Sequence, residues 1–182
     1  MPTPTAFEQE MLELIIKAKP NAAHRGLTLM EEVGLVNSVI TQNVDNLHHE
    51  AGSKNVFEFH GTIRTLSCSM CKTQYQAKEV SLDTIPPRCP VCMGIMRPDF
   101  VFFGEGIPKQ ASLPSFYEAQ VADVFLVIGT TGEVLPACQI PVQAKYNGAK
   151  VIEINLKDLR GGDQTQNIVV RNKDVVYVPT DT

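Results

Sequence analysis

Four cysteines constrain this chain more than any other feature. Cys68 and Cys71 form one C-x-x-C pair, Cys89 and Cys92 a second, with 17 residues between them. Each pair makes a tight knuckle that turns two thiolates to one point, and two knuckles build the tetrahedral sulfur site that zinc prefers. A redox dithiol pair and an iron site are the alternatives for such spacing. A closed set of four sulfur ligands leaves no position for water, so zinc here is expected to hold the fold together and to do no chemistry. The segment 68–92 also carries Pro86-Pro87 and Pro90 and shows little long-period pattern. It reads as a small metal-built insert in a larger domain. Cys138, among apolar residues at a helix start, reads as a small packed residue.

The rest of the chain can support that larger domain. Its 182 residues are 43% hydrophobic, enough for one medium domain or one core with a small insert. The net charge is -4 and no Lys/Arg block stands out, which argues against a nucleic-acid surface. No apolar run approaches a membrane span. The first 20 residues lack the basic and apolar regions of a secretion signal. The expected compartment is cytoplasmic, where thiols stay reduced.

Periodicity places helices at 7–19, 22–34 and 111–122, with Asn21 as N-cap of the second. His24, in the first turn of that helix, is expected to be structural. Short extended pieces fall at 38–41, 57–60 and 65–68. The run Asp123-Val124-Phe125-Leu126-Val127-Ile128 is nearly continuous in apolar residues, as in a buried parallel strand. It enters Gly129-Thr130-Thr131-Gly132, followed by a helix at 136–146 and a strand at 150–155, which is a βαβ unit. A loop at 157–166 separates this unit from further strand-like runs at 168–170 and 175–178. The fold class is α/β, with one domain formed by 1–67 and 93–182 and a zinc-binding module at 68–92.

Candidate site residues gather where strands end. The stretch Val39–Gly61 passes from an apolar strand into Gln42, Asn43, Asp45 and Asn46, then returns through Val56-Phe57-Glu58-Phe59 to His60. Open α/β sheets build sites at such strand ends. Amides and a carboxylate can grip a carboxamide or a ribose, and a nearby histidine can serve as general base. A capped turn between two strands is the plainer alternative. Gly129–Gly132 allows close approach of a ligand to the backbone, or is an ordinary tight turn. Asn155, at the next strand end, could meet a ribose hydroxyl. Phe100–Glu105 is either an exposed edge for a peptide or a core strand. His48 and His49 are assigned to the surface or to a structural contact.

Taken together, PNAAH (20–24), TQNVDNLHHEAGS (41–53), His60-Gly61, the two C-x-x-C pairs, RPDFVFFGE (97–105), GTTGEVLPA (129–137) and IEIN (152–155) resemble the sirtuin family of NAD-dependent protein deacylases. The resemblance implies a Rossmann-like parallel sheet with an inserted zinc ribbon, NAD and zinc as cofactors, and an acyl-lysine protein or peptide as substrate. It assigns Gln42 and Asn43 to the nicotinamide ribose, Val44 and Asp45 to the nicotinamide carboxamide, and His60 as general base, with Asn43 beside it in the catalytic set. Gly129, Thr130, Thr131 and Asn155 would meet the adenosine side. Val101 and Phe102 would line the acyl-lysine tunnel, and Phe103, Gly104 and Glu105 would face Glu133 and Val134 across the peptide. A catalytically silent binding module and an NAD-dependent ADP-ribosyltransferase are other readings of the same cleft. Departures are also visible. Nothing before Pro20 matches the strand and Gly-Ala-Gly turn on which sirtuins open, Asn46 stands where the family usually has Gly, and Arg171–Asp174 replaces a Gly-x-Ala turn. The departures imply a shortened chain, impaired pyrophosphate binding, and a sheet lacking a central strand, with unpaired edges on its neighbours.

Overall fold

A computed structural model describes residues 18–81, 84–129 and 132–154, and the backbone strand Asp174–Val178. Most of the helix expected at 7–19, the loop at 157–166 and the strand at 168–170 lie outside the described residues, as do Thr130, Thr131 and Asn155. Helix α1 (Ala22–Glu32) starts where the sequence places it: the Asn21 side chain accepts from the Ala23 and His24 N–H groups, and His24 Nδ1 accepts from the Asn21 N–H at 3.3 Å. This reciprocal cap gives His24 its structural role. Then follow β1 (Val36–Thr41), α2 (Leu47–Ala51), β2 (Val56–Glu58) and β3 (Gly61–Cys68). After β4 (Gln74–Gln76) and β5 (Met96–Phe100) come α3 (Lys109–Val121), β6 (Val124–Ile128), α4 (Gln139–Tyr146), β7 (Lys150–Ile154) and β8 (Asp174–Val178).

Two sheets result. One has five parallel strands in the order β2-β1-β8-β6-β7; the other has three antiparallel strands in the order β4-β3-β5. The expected gap in the parallel sheet is corrected by β8. It pairs with β1 on one side (Ile40 opposite Tyr177) and with β6 on the other (Val127 opposite Tyr177), so the facing edges of β1 and β6 have a partner within the chain. The run Val175-Val176-Tyr177-Val178 has the β-branched and aromatic character that suits such a place.

Both faces of the parallel sheet are covered, which explains its near-continuous apolar strands. Successive residues alternate between the two faces. Ile40, Phe125 and Val127 join Phe59, Ala119, Ile140 and Ala144 in one cluster against α3 and α4. Val39 and Leu126 join Leu27 and Val36 in the other, against α1. Helix α3 is tied to the start of β1 by buried Glu118, which accepts from Asn37 Nδ2 at 2.6 Å and Ser38 Oγ at 3.2 Å. The antiparallel sheet extends past the 68–92 segment at both ends, to Gly61 and Phe100. Its third cluster is built on Leu66, Cys68, Cys89 and Met96. β5 is an edge strand among the described residues, so Pro98 costs it no ladder bond on the open side.

Phe125 is fully buried at the centre of the larger cluster. Truncating it to alanine is expected to lower stability by about 3–5 kcal/mol, read from the urea midpoint with an unchanged slope.

Candidate functional site

The four thiolates converge. Their sulfur atoms all lie within 4.8 Å of one another, with Cys68 and Cys92 at 3.4 Å and Cys71 and Cys89 at 3.7 Å. A tetrahedron with Zn–S bonds of about 2.3 Å has sulfur–sulfur edges of about 3.8 Å, so the cluster fits zinc. The two knuckles are built alike. Lys72 N–H bonds to Cys68 O at 3.1 Å and Met93 N–H to Cys89 O at 2.9 Å, and both Lys72 and Met93 take left-handed backbone (φ 62 and 59). Gly94 closes the site, since a Cβ there would stand 2.8 Å from Cys68 Sγ. Cys68 and Cys89 are buried, Cys92 is half-buried and Cys71 is exposed.

The second constellation lies at the ends of β1 and β2. Gln42 is buried, and Asn43, Val44, Asp45 and His60 are half-buried. Asn43 N–H bonds to Thr41 Oγ1 at 3.1 Å, and Asp45 Oδ1 accepts from Leu47 N–H at 2.9 Å, which starts α2. Asn46 takes φ 65, a left-handed conformation that asparagine tolerates better than most residues. This explains how it can stand where the sirtuin pattern has glycine. His60 follows β2 and is held from both sides: Phe59 N–H bonds to Thr41 O at 2.8 Å and Val101 N–H to His60 O at 2.8 Å. Burial pushes the His60 ring below its usual pKa, and a hydrogen bond to the Gln42 main chain works in the opposite direction. A main-chain group that favours the charged ring accepts from it.

Among the described residues, the buried side-chain polar atoms without a hydrogen bond belong to Asn43, Asn46, His48 and Glu58. All four sit on this one stretch. Each such group costs about 1–3 kcal/mol when nothing satisfies it, so their gathering here marks a place built for polar company. His48 takes the structural place that the sequence reading allowed it, whereas Glu58 escaped that reading. His48 is buried and its ring lies 4.6 Å from that of His24; burial, reinforced by the His24 and His49 charges, lowers its pKa to about 4. It is a structural contact and stays neutral at pH 7. Glu58 has its pKa raised, chiefly by burial. Its only sequence signal is a lone carboxylate in the apolar run Val56–Phe59.

The aromatic segment leaves β5 as an edge and not as a core strand. Phe102 is 45% exposed and Phe103 fully exposed, while Val101 is half-buried. Glu133 and Val134 are exposed in the loop before α4, and Gly129 ends β6 at the same end of the sheet as Gln42. An open groove of about 330 Å³ runs on the zinc side of β5, past Ser67, Lys72, Arg97, Asp99, Glu105 and Pro108. Its lining also includes Phe100 and Val101, so it reaches the segment that leaves β5.

A parallel α/β sheet with a polar strand-end cleft, joined to a four-thiolate ribbon, defines a nucleotide-site architecture stabilised by a structural metal. The particular family follows from comparison. A family model described as the Sir2 family matches residues 1–136, and the chain belongs to that family. It is 43% identical over 170 residues to an NAD-dependent protein deacylase of Pyrococcus furiosus, covering 85% of this chain and 68% of that one. It is 40% identical over 193 residues to an NAD-dependent protein deacylase of Thermococcus kodakarensis, covering 97% and 75%. Among solved structures, Sir2 bound to acetylated peptide superposes with a TM-score of 0.78 at 37% identity, covering 82% of this chain and 64% of that one. A Sir2–p53 peptide–NAD+ complex gives 0.77 at 33% identity, covering 94% and 69%. The chain thus spans roughly two thirds of the length of these relatives.

Gly94→Ala is expected to lower zinc content, measured by metal analysis, because the new methyl group must push Cys68 Sγ aside. Chelation of the wild type should melt the 61–100 sheet, seen as loss of amide protection there. Protection that survived metal removal would contradict a structural zinc.

Proposed function

We propose that this chain is an NAD-dependent protein lysine deacylase. The observation that carries the proposal is the meeting of Gln42, Asn43, Asp45 and His60 where β1 and β2 end, with unsatisfied polar atoms gathered around them. Kinship with proteins named as NAD-dependent deacylases supports it, as do solved relatives holding acetylated or propionylated peptides.

Each residue then has a defined task. Asp45 and the Val44 main chain orient the carboxamide of the nicotinamide. Gln42 and Asn43 hold the adjoining ribose through their amides, and Gly129, Thr130, Thr131 and Asn155 contact the adenosine side. NAD, when bound, supplies the glycosidic carbon that accepts the acyl oxygen and the nicotinamide that departs. His60 takes a proton from a ribose hydroxyl on a ring nitrogen, and burial favours the neutral, accepting form of that ring. Val101 and Phe102 enclose the acyl-lysine stem. The main chain at Phe103–Glu105 and at Glu133–Val134 flanks the substrate, which adds as a strand. The zinc ribbon supports β3 and β5 and so fixes where Val101 begins.

Incubation with NAD and an acetyl-lysine peptide tests the proposal through nicotinamide release and loss of the acyl group. His60→Ala is expected to cut turnover by about 10²–10⁴-fold. Peptide binding without nicotinamide release would instead identify a silent binding module. Nicotinamide release with ADP-ribose attached to protein would identify a transferase.

The pH profile supplies a separate check. A base works in its neutral form, and burial lowers the His60 pKa from 6.5. Turnover should therefore rise with pH and reach its plateau with a midpoint below 6.5. A midpoint above that value would contradict the assignment.

A further inference from the structure

We propose that Arg97 and Glu105 form a positioning clamp that holds the main chain of Val101–Gly104 in the shape with which a substrate strand pairs. The clamp deepens the deacylase reading and rests on it.

The segment that leaves β5 carries two large aromatic side chains exposed to solvent, and such a loop would ordinarily be costly to order on binding. Here it is ordered beforehand. Arg97 donates twice to Glu105, from Nη1 to Oε1 at 2.8 Å and from Nη2 to Oε2 at 2.7 Å. Glu105 Oε2 also accepts the Phe102 N–H at 3.1 Å, and the Glu105 N–H returns to Phe102 O at 3.0 Å. The Arg97 guanidinium lies 5.0 Å over the Phe102 ring, whose other neighbour is Phe100 at 4.5 Å. A two-point fork of this kind fixes orientation as well as distance. One cation thus ties together a carboxylate, a main-chain turn and an aromatic face.

Two consequences follow. Both Glu105 oxygens are already engaged, so its carboxylate shapes the loop and does not read the substrate. The Phe103 and Gly104 main chains make no hydrogen bond among the described residues and remain free to pair with an incoming strand. Both charged side chains are partly exposed, at 38% and 40%. Ion pairs with that exposure contribute little to global stability. The structure therefore assigns this pair a local task. The strongly lowered Glu105 pKa, about 2, is caused first by the Arg97 hydrogen bonds and then by the Phe102 N–H. It keeps the clamp charged at any working pH.

The test uses the zinc-loaded chain with Arg97→Ala, Glu105→Gln, and the charge-swapped pair Arg97→Glu with Glu105→Arg. Dissociation constants are measured for an acetyl-lysine peptide and, separately, for NAD, with zinc content as the folding control. Each single variant is expected to weaken peptide binding about tenfold and to leave NAD affinity unchanged, and the swapped pair should recover part of the loss. Two results would overturn the clamp: a wild type that binds peptide with single variants that bind it equally well, or a parallel loss of NAD affinity. If a single variant loses zinc, the swapped pair decides: zinc retained with no recovery of peptide affinity rejects the proposal. A zinc-loaded wild type that binds no acyl-lysine peptide would reject the deacylase reading itself, and the clamp with it.

Discussion

The turn Phe59-His60-Gly61 joins two sheets with different hydrogen-bonding habits, and the cleft depends on that seam. On one side Phe59 N–H extends the parallel pairing of β2 with β1 by bonding to Thr41 O. On the other, Gly61 opens β3 opposite Phe100, and His60 O receives the Val101 N–H. Ile63 N–H reaches back to Val44 O at 3.0 Å, tying the second sheet to the polar loop of the first. The approach at Gly61 is so close that a Cβ would stand 2.2 Å from Asp99 O, at φ +77. Only glycine fits both the space and the conformation. His60 is therefore placed by main-chain bonds from both sheets, and neither sheet alone would place it.

The polar groups of the cleft are held at a cost. Asn43, Asn46, His48 and Glu58 keep buried atoms unpaired while the surrounding strands are packed and satisfied. Proteins tolerate such groups where a ligand or ordered water completes them. The neutral His48 ring packs against His24, and burial lowers the pKa of both rings. The zinc ribbon works on a different principle. Its stability comes from metal–sulfur bonds, because a three-stranded sheet with one small cluster cannot bury enough surface by itself.

Much of this was legible in the sequence for local reasons. C-x-x-C spacing declares a knuckle because two residues between thiolates leave few backbone paths. Asn21 declares a helix start because its side chain matches the orphan N–H groups there. The alternation of Val39 with Ile40, and of Phe125 with Leu126, follows from the pleat. Glu58 was not legible, since nothing local distinguishes a buried carboxylate from an exposed one. Nor was the clamp. Arg97 and Glu105 lie eight residues apart and meet only because the chain turns back after β5.

The sequence by itself determined the element types, the metal ligands, and the family to which Gln42, Asn43, Asp45 and His60 belong. These rest on nearest-neighbour chemistry and on period, which a chain carries wherever it goes. The tertiary structure decided which strand stands between β1 and β6. Strand order depends on non-local pairing, and an apolar run at 175–178 is equally compatible with an edge or a centre until its partners are known. It also decided that the Glu105 carboxylate is engaged by Arg97 and Phe102. That outcome depends on a turn closing in space, which no spacing rule encodes.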